Sequence, residues 1–468
     1  MKDKRVVITY GTYDLLHYGH IALLERAKAL GDYLIVGVTS DAFDRSRGKL
    51  NVKQDLATRL SAVMNTGIAD KVIVEEYRGQ KIADIRRYGV DVFTIGSDWE
   101  GKFDYLKNYC EVVYLERTKG ISSTQLRAES QVLHKMGIIG SDYLCERMLR
   151  ESKKLNSMSF VAYFEPQFGK AEASLDPSHE YHKQGLAQAA SLDELFSQVE
   201  AVYISQAIDK RAQLIEAALL SDTHVLCEAP LFLSLEEAKR LIALAKERKL
   251  ILMEALKTRY FPAFEHLKLL LESGDIGEIK DIDASFSHVF EGLDTSDKYQ
   301  GSFYDLASVL LLPAVELLGS KPLEVNMSRM LVDAFSPWTK CNLRYKTADV
   351  SLRAGRGMKT EGDMTITGTQ AYVYVPAPWW KTEYFELRCE DLRESKKFFY
   401  PYAGEGQRYE LNAFVRAIEE GGLGALVDPQ LEEAMLLSAQ MVEQFDRAQV
   451  HELEAAAYSF GGGERLDR

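Results

Sequence analysis

The 468-residue chain is poor in cysteine, and Cys110, Cys145, Cys227, Cys341 and Cys389 form no CxxC pair. Such scatter excludes a disulfide frame and a thiolate zinc site, and it predicts buried, reduced thiols. No apolar run approaches the length that spans a bilayer. The opening MKDKRVVITYG enters a strand pattern without the apolar stretch of a secretory leader. A cytoplasmic protein with no membrane partner is therefore expected. Repeats and low-complexity stretches are lacking too. Positive charge is in deficit, with a net of −13. Residues 1–130 nevertheless hold 20 Lys and Arg against 18 Asp and Glu, a net of +2, which leaves −15 on the remainder. A near-neutral N-terminal part can host a polyphosphate. The acidic remainder argues against nucleic acid as a partner.

What is present is the composition of a globular protein, 46% apolar and 27% charged, long enough for two or three cores. Strand-length apolar runs at 6–11, 33–40, 71–76, 91–98 and 111–117 alternate with helical patterns at 20–31, 55–69 and 82–89. That alternation predicts a parallel sheet covered on both faces. The pattern restarts after residue 134, with strands near 136–140, 160–165, 201–206 and 224–230 separated by helices. From about residue 280 the texture changes to long alternating segments such as DIDASFSHVF and DMTITGTQAYVYVPAP, which predict antiparallel strands with one wet face. The expected organisation is α/β throughout: a Rossmann-like parallel-sheet domain over 1–130, a second Rossmann-like domain over 134–255, and an α/β domain with an open antiparallel sheet over 256–468.

The chemistry concentrates in TYGTYDLLHYGH (9–20). A strand ends at Gly11, and His17 and His20 open the next helix on one side of its first turn. Gly19 lets an anion approach the backbone, and the helix N-terminus adds amide donors. Late in the same domain, RTKGISST (117–124) places Arg117 before a small, donor-rich turn. Two helix starts prepared for phosphate in one sheet point to phosphoryl or nucleotidyl transfer.

These stretches, with DVFTIGSDWEGKFDYLK and CEVVYLERTKGISST, resemble the glycerol-3-phosphate cytidylyltransferases of the HxGH nucleotidyltransferase superfamily. The resemblance covers nearly all of residues 1–130. It implies Mg²⁺-dependent transfer of CMP from CTP to a glycerol phosphate, giving CDP-glycerol and pyrophosphate for teichoic-acid or capsule synthesis. No covalent enzyme intermediate is implied. Matched position by position, His17, His20, Arg117 and Lys49 are the catalytic set. Thr12, Asp14, Arg47, Arg59, Thr118, Ser122 and Ser123 bind nucleotide and phosphates. Asp98 and Trp99 face the acceptor. Ser97 stands where the family has a second aspartate. The chain shows no set of metal ligands of its own, so Mg²⁺ is expected to arrive with CTP.

The string HVLCEAPLFLSLEEAKRLIALAKERKLILMEALKTRYFPAFEHL resembles the oxidoreductases related to glucose-fructose oxidoreductase and inositol dehydrogenase. Three positions depart from that family's chemistry. Asp142 replaces the second glycine of the dinucleotide fingerprint, where backbone must approach a pyrophosphate. Ala229 replaces a lysine that serves the nicotinamide, and Lys210 stands where a histidine is expected. Only Glu165 keeps a place suited to ribose. NAD or NADP is therefore not expected as a cofactor, and the C-terminal half is expected to scaffold or regulate. The rival expectation is a bifunctional enzyme with an active dehydrogenase acting on the polyol phosphate. The family's open sheets pair between subunits, so a homo-oligomer is expected. Trp379 and Trp380 read equally as interface or as core.

Overall fold

A computed structural model describes residues 4–46, 49, 52–54, 56–77, 79–116, 133–155, 157–166, 180–272, 274–289, 296–400, 402, 404–419 and 429–452. The chain divides into two units, Met1–Val132 and Leu133–Arg468.

In the first unit five strands, β1 (Val6–Gly11), β2 (Tyr33–Thr39), β3 (Lys71–Glu75), β4 (Val92–Gly96) and β5 (Glu111–Leu115), form a parallel sheet in the order β3-β2-β1-β4-β5. Continuous aliphatic runs bury both faces of β1 and β2. One face packs Val7, Val36 and Val38 on Leu24 and Ala27 of the helix Tyr18–Lys28. The other packs Ile8, Ile35 and Phe93 on Ile85 and Leu106. Gly37 is required on that second face, because a Cβ there would meet the Tyr10 ring at 2.2 Å. Chain order reverses between β1 and β4, so a crevice opens outside their carboxyl ends. A short helix, Asp41–Ser46, follows β2 where the sequence pattern gives no periodic signal.

The second unit begins with a parallel sheet of β6 (His134–Ile139), β7 (Met158–Phe164), β8 (Ala187–Gln188), β9 (Ala201–Ile204), β10 (His224–Glu228) and β11 (Leu252–Ala255), ordered β11-β10-β9-β6-β7-β8. A nine-stranded sheet follows, ordered β19-β18-β17-β16-β12-β15-β14-β13-β20. Its strands are β12 (Ile279–His288), β13 (Glu324–Leu331), β14 (Trp338–Arg344), β15 (Asp349–Arg356), β16 (Met364–Gly368), β17 (Ala371–Val375), β18 (Tyr384–Cys389), β19 (Lys396–Phe399) and β20 (Gln449–Glu452). The sheet is mixed rather than purely antiparallel, since β12 pairs parallel with β15 and β13 with β20. Burial alternates along β14, as a sheet with one wet face requires. The long apolar helix Ser302–Leu318 is largely buried.

All five cysteines are free, three of them buried and Cys110 and Cys389 partly exposed. Trp379 belongs to the core: it is fully buried, and its indole N–H donates to the Ser285 carbonyl at 2.9 Å. Trp380 is half-buried and stacks on Phe286 with ring centroids 3.9 Å apart. Among the described residues no helix is long and apolar enough to cross a membrane.

Candidate active site

The site is built where β1 ends. Beyond Gly11 the backbone turns through Tyr13 and Leu15, both with positive φ (53° and 48°). Non-glycine residues rarely hold that conformation, and it persists where surrounding contacts enforce it. Here the enforcement is visible. Asp14, buried, accepts from the backbone N–H groups of Lys53 and Gln54 at 3.0 Å each. Gln54 in turn accepts from the Leu15 N–H at 2.8 Å. The loop after β1 is thus sewn to the start of the helix Leu56–Asn65.

His17 is the N-cap of the helix Tyr18–Lys28, and its Nδ1 accepts from the Gly19 N–H at 3.0 Å. With Nδ1 used as an acceptor, the neutral ring carries its proton on Nε2, which becomes the donor. His20 lies three residues on. The two imidazoles stack with centroids 4.0 Å apart, and the Tyr13 ring meets His20 edge-on at 5.5 Å. The spacing read from the sequence therefore makes one paired group at a helix N-terminus.

Beside it, the Thr12 hydroxyl donates to Asp44 at 2.9 Å and accepts from Lys49 Nζ at 2.7 Å. Lys49 is thereby held at the loop after β1, where its ammonium can meet a phosphate. Arg59 is placed differently. It is fully buried, and it donates to the carbonyls of Gln54 at 3.0 Å, Thr12 at 2.7 Å and Thr39 at 2.8 Å. It also pairs with Asp41 and lies 3.8 Å from Asp44. Those bonds tie the loop after β1 to the end of β2 and to the start of the helix Leu56–Asn65. After β4 comes the turn Ser97–Trp99, with Asp98 and Trp99 exposed across the crevice mouth. Arg26 donates to the Glu116 carbonyl at 2.6 Å, tying the end of β5 to the histidine-bearing helix. Arg47, Arg117, Thr118, Ser122 and Ser123 lie outside the described residues.

Sequence reading missed Asp44 and Lys81. Asp44 had no motif around it. Lys81, in the first turn of the helix Gln80–Tyr88, is buried against Glu75 at the end of β3, and its Nζ lies 4.4 Å from the Tyr10 ring centroid. The apolar pattern of that helix starts only at Ile82, which hid a lysine packed under the sheet end. Among the described residues no group of three His, Cys, Asp or Glu could hold a metal ion.

Residues 8–129 match the cytidylyltransferase-like family. Glycerol-3-phosphate cytidylyltransferase of Bacillus spizizenii is 51% identical over 123 residues, 26% of this chain and 95% of that protein. The chain belongs to the cytidylyltransferase family. The Staphylococcus aureus glycerol-3-phosphate cytidylyltransferase is again 51% identical and is covered over 92% of its length. As a cytidylyltransferase the chain is a nucleotidyltransferase, which implies CTP and a divalent metal.

This cytidylyltransferase carries a second family match, residues 134–256, to the oxidoreductase family with an NAD-binding Rossmann fold. A 3-ketoreductase from Actinomadura kijaniata, solved with NADP and TDP-benzene, shares the fold of that half. The TM-score is 0.60 at 20% identity, over 69% of this chain and all of that one. At the position where such folds receive a pyrophosphate, Asp142 caps the helix Tyr143–Ser152. Its Oδ1 accepts from the N–H groups of Leu144 and Cys145 at 3.0 Å each, and its Oδ2 accepts from the Ser205 hydroxyl at 2.6 Å. Those amides are the donors a helix N-terminus offers to an anion. They are taken by a carboxylate of the chain itself. Gly140 keeps the turn tight, because a Cβ would meet the Ser205 carbonyl at 2.2 Å. Lys210 pairs with Asp209 at 3.0 Å.

Proposed function

We propose that the first unit transfers CMP from CTP to a glycerol phosphate, forming CDP-glycerol and releasing pyrophosphate. The observation that carries this reading is the stacked His17–His20 pair at a helix N-terminus, with Lys49 held on Thr12 beside it. An acceptor phosphate oxygen attacks the α-phosphorus of CTP, and the bond to the bridging oxygen breaks to give pyrophosphate. His17 Nε2 and His20 donate to the phosphoryl oxygens, where charge grows in the transition state. Lys49, with Arg47 and Arg117, neutralises the leaving pyrophosphate. Thr118, Ser122 and Ser123 bind nucleotide and phosphates, and Asp98 and Trp99 receive the acceptor. Mg²⁺ bound to the triphosphate supplies charge neutralisation. Pyrophosphate release from CTP across a panel of glycerol, ribitol and ethanolamine phosphates tests the reading. Glycerol 3-phosphate should give the highest kcat/KM; preference for a different acceptor class would refute the assignment.

The second unit, in this reading, does not transfer hydride. The support is Asp142, whose carboxylate satisfies the helix amides and stands where a dianionic pyrophosphate must sit. Ala229 removes an ammonium from the neighbourhood of a nicotinamide, so general acid work at that position is lost. Calorimetric titration with NAD⁺, NADH, NADP⁺ and NADPH should be silent. Micromolar binding of any of the four to the unaltered protein would overturn this half of the reading.

A further inference from the structure

Gln54, half-buried just before the helix Leu56–Asn65, is anchored through its backbone on both sides. Its N–H donates to Asp14 at 3.0 Å, and its carbonyl accepts from Arg59 Nε at 3.0 Å. Both partners are buried. The side chain therefore leaves a fixed point, and it has little freedom left to lose when it reaches another segment. It reaches the loop after β1, where its Oε1 accepts from the Leu15 N–H at 2.8 Å. Among the described residues that N–H has no other acceptor. Leu15 and Tyr13 hold positive φ, a conformation that surrounding contacts must enforce. Two residues beyond Leu15 stands His17, the N-cap of the helix Tyr18–Lys28. The segment that leads into Gln54 carries Lys49, which donates to Thr12 in the same loop. One amide oxygen thus joins the loop that bears Thr12, Asp14 and His17 to the segment that bears Lys49.

We propose that Gln54 is a positioning residue for CTP: its amide oxygen holds residues 12–17 in the strained form that receives the nucleotide, without touching substrate itself. The proposal rests on the reading of the first unit as a cytidylyltransferase. The Leu15 N–H fixes which end of the amide faces the loop, because only the oxygen accepts. Without that acceptor the N–H is left unanswered, and the positive φ of Leu15 loses the contact that holds it. Thr12, Asp14 and Lys49, the groups assigned to nucleotide and phosphate, all lie on the two segments that Gln54 joins. Asp98 and Trp99, assigned to the acceptor, follow β4 on a separate turn. Loss of the Gln54 oxygen should therefore weaken CTP and spare the glycerol phosphate. The bonds to Asp14 and Arg59 use only the backbone of Gln54, so a side-chain substitution removes the Leu15 contact and leaves those two in place.

The test combines kinetics with hydrogen exchange on the full chain. Gln54→Met keeps the length of the side chain without its acceptor. KM for CTP should rise about tenfold, the scale of one lost hydrogen bond, while KM for glycerol 3-phosphate stays within about twofold. Gln54→Asn keeps the amide but is one methylene too short to reach Leu15, and it should behave like the methionine variant. Gln54→Glu keeps an oxygen acceptor at full reach. Exchange of the Leu15 amide, read by mass spectrometry on peptides spanning residues 13–17, does not depend on turnover. It should be about tenfold faster in Gln54→Met and Gln54→Asn and unaltered in Gln54→Glu. The asparagine and glutamate variants decide the matter even if the methionine variant fails to fold. An unchanged CTP KM, an equal rise in both KM values, or exchange that ignores the acceptor overturns the proposal. His20→Ala separates the two failures. If it leaves turnover unaltered, the reading of the site falls. If it lowers turnover while Gln54→Met and Gln54→Asn leave the CTP KM as it was, the role of Gln54 alone falls.

Discussion

Replacing His20 with alanine should lower cytidylyl-transfer turnover by about a hundredfold or more, the scale for removing one transition-state donor. His20 sits in the first turn of the helix Tyr18–Lys28, locked between the His17 ring at 4.0 Å and the edge of Tyr13 at 5.5 Å. Its orientation is set by packing, so it needs no reorganisation when charge develops on the phosphoryl oxygens. An interaction made mainly in the transition state lowers kcat and kcat/KM together and leaves KM nearly unchanged. His17 is the less clean probe. It also caps its helix through Nδ1, so alanine there adds a loss of about 1 kcal/mol in stability to the loss of the donor. His17→Asn keeps a capping acceptor and isolates the catalytic term. Steady-state kinetics with saturating CTP read the result. A His20→Ala enzyme with unaltered turnover would remove the histidine pair from the mechanism.

Arg59→Met should unfold the first unit at markedly lower denaturant, by about 3–5 kcal/mol, the cost of breaking a buried ion pair from one side. The guanidinium is fully buried and bonds three carbonyls, those of Thr12, Thr39 and Gln54, besides pairing with Asp41. Methionine fills a similar volume but leaves those carbonyls and the Asp41 and Asp44 carboxylates unanswered. Lysine offers no planar fork and restores only part of the loss. The unfolding transition of the second unit should not move, since Gln54, Thr12, Thr39, Asp41 and Asp44, the partners of Arg59 among the described residues, all lie in the first. Chemical denaturation followed by fluorescence, with each unit's transition resolved, measures the difference. A change below about 1 kcal/mol would show that the loop after β1 does not depend on Arg59.

The parts of the site legible in the sequence are those written in one contiguous stretch. His17 and His20 depend only on helical spacing after a strand, so HYGH announces their pairing. Asp142 was legible for the same reason, because a side chain in a glycine position changes one local turn. What could not be read was which partner each group would choose. Arg59 looked like a nucleotide ligand by its place in a motif. In the fold it bonds residues from three segments, and only the sheet brings Thr12, Thr39 and Asp41 to one point. Ser205, which completes the hydrogen bonds of Asp142, comes from the far side of the sheet switch between β6 and β9. The fold class followed from alternation of strands and helices. The parallel pairs β12·β15 and β13·β20 did not, because alternation along a strand reports its wet face and not the direction of its neighbour.

The most direct test of the whole account is ³¹P NMR of the full-length protein incubated with CTP, Mg²⁺ and glycerol 3-phosphate, with no nicotinamide cofactor added. The account predicts that the resonances of CTP and the phosphomonoester decline together. Pyrophosphate and the two coupled diphosphate resonances of CDP-glycerol should take their place at equal rates. CTP that persists unchanged in the presence of folded protein, Mg²⁺ and acceptor, or hydrolysis of CTP without a CDP-glycerol signal, would contradict it.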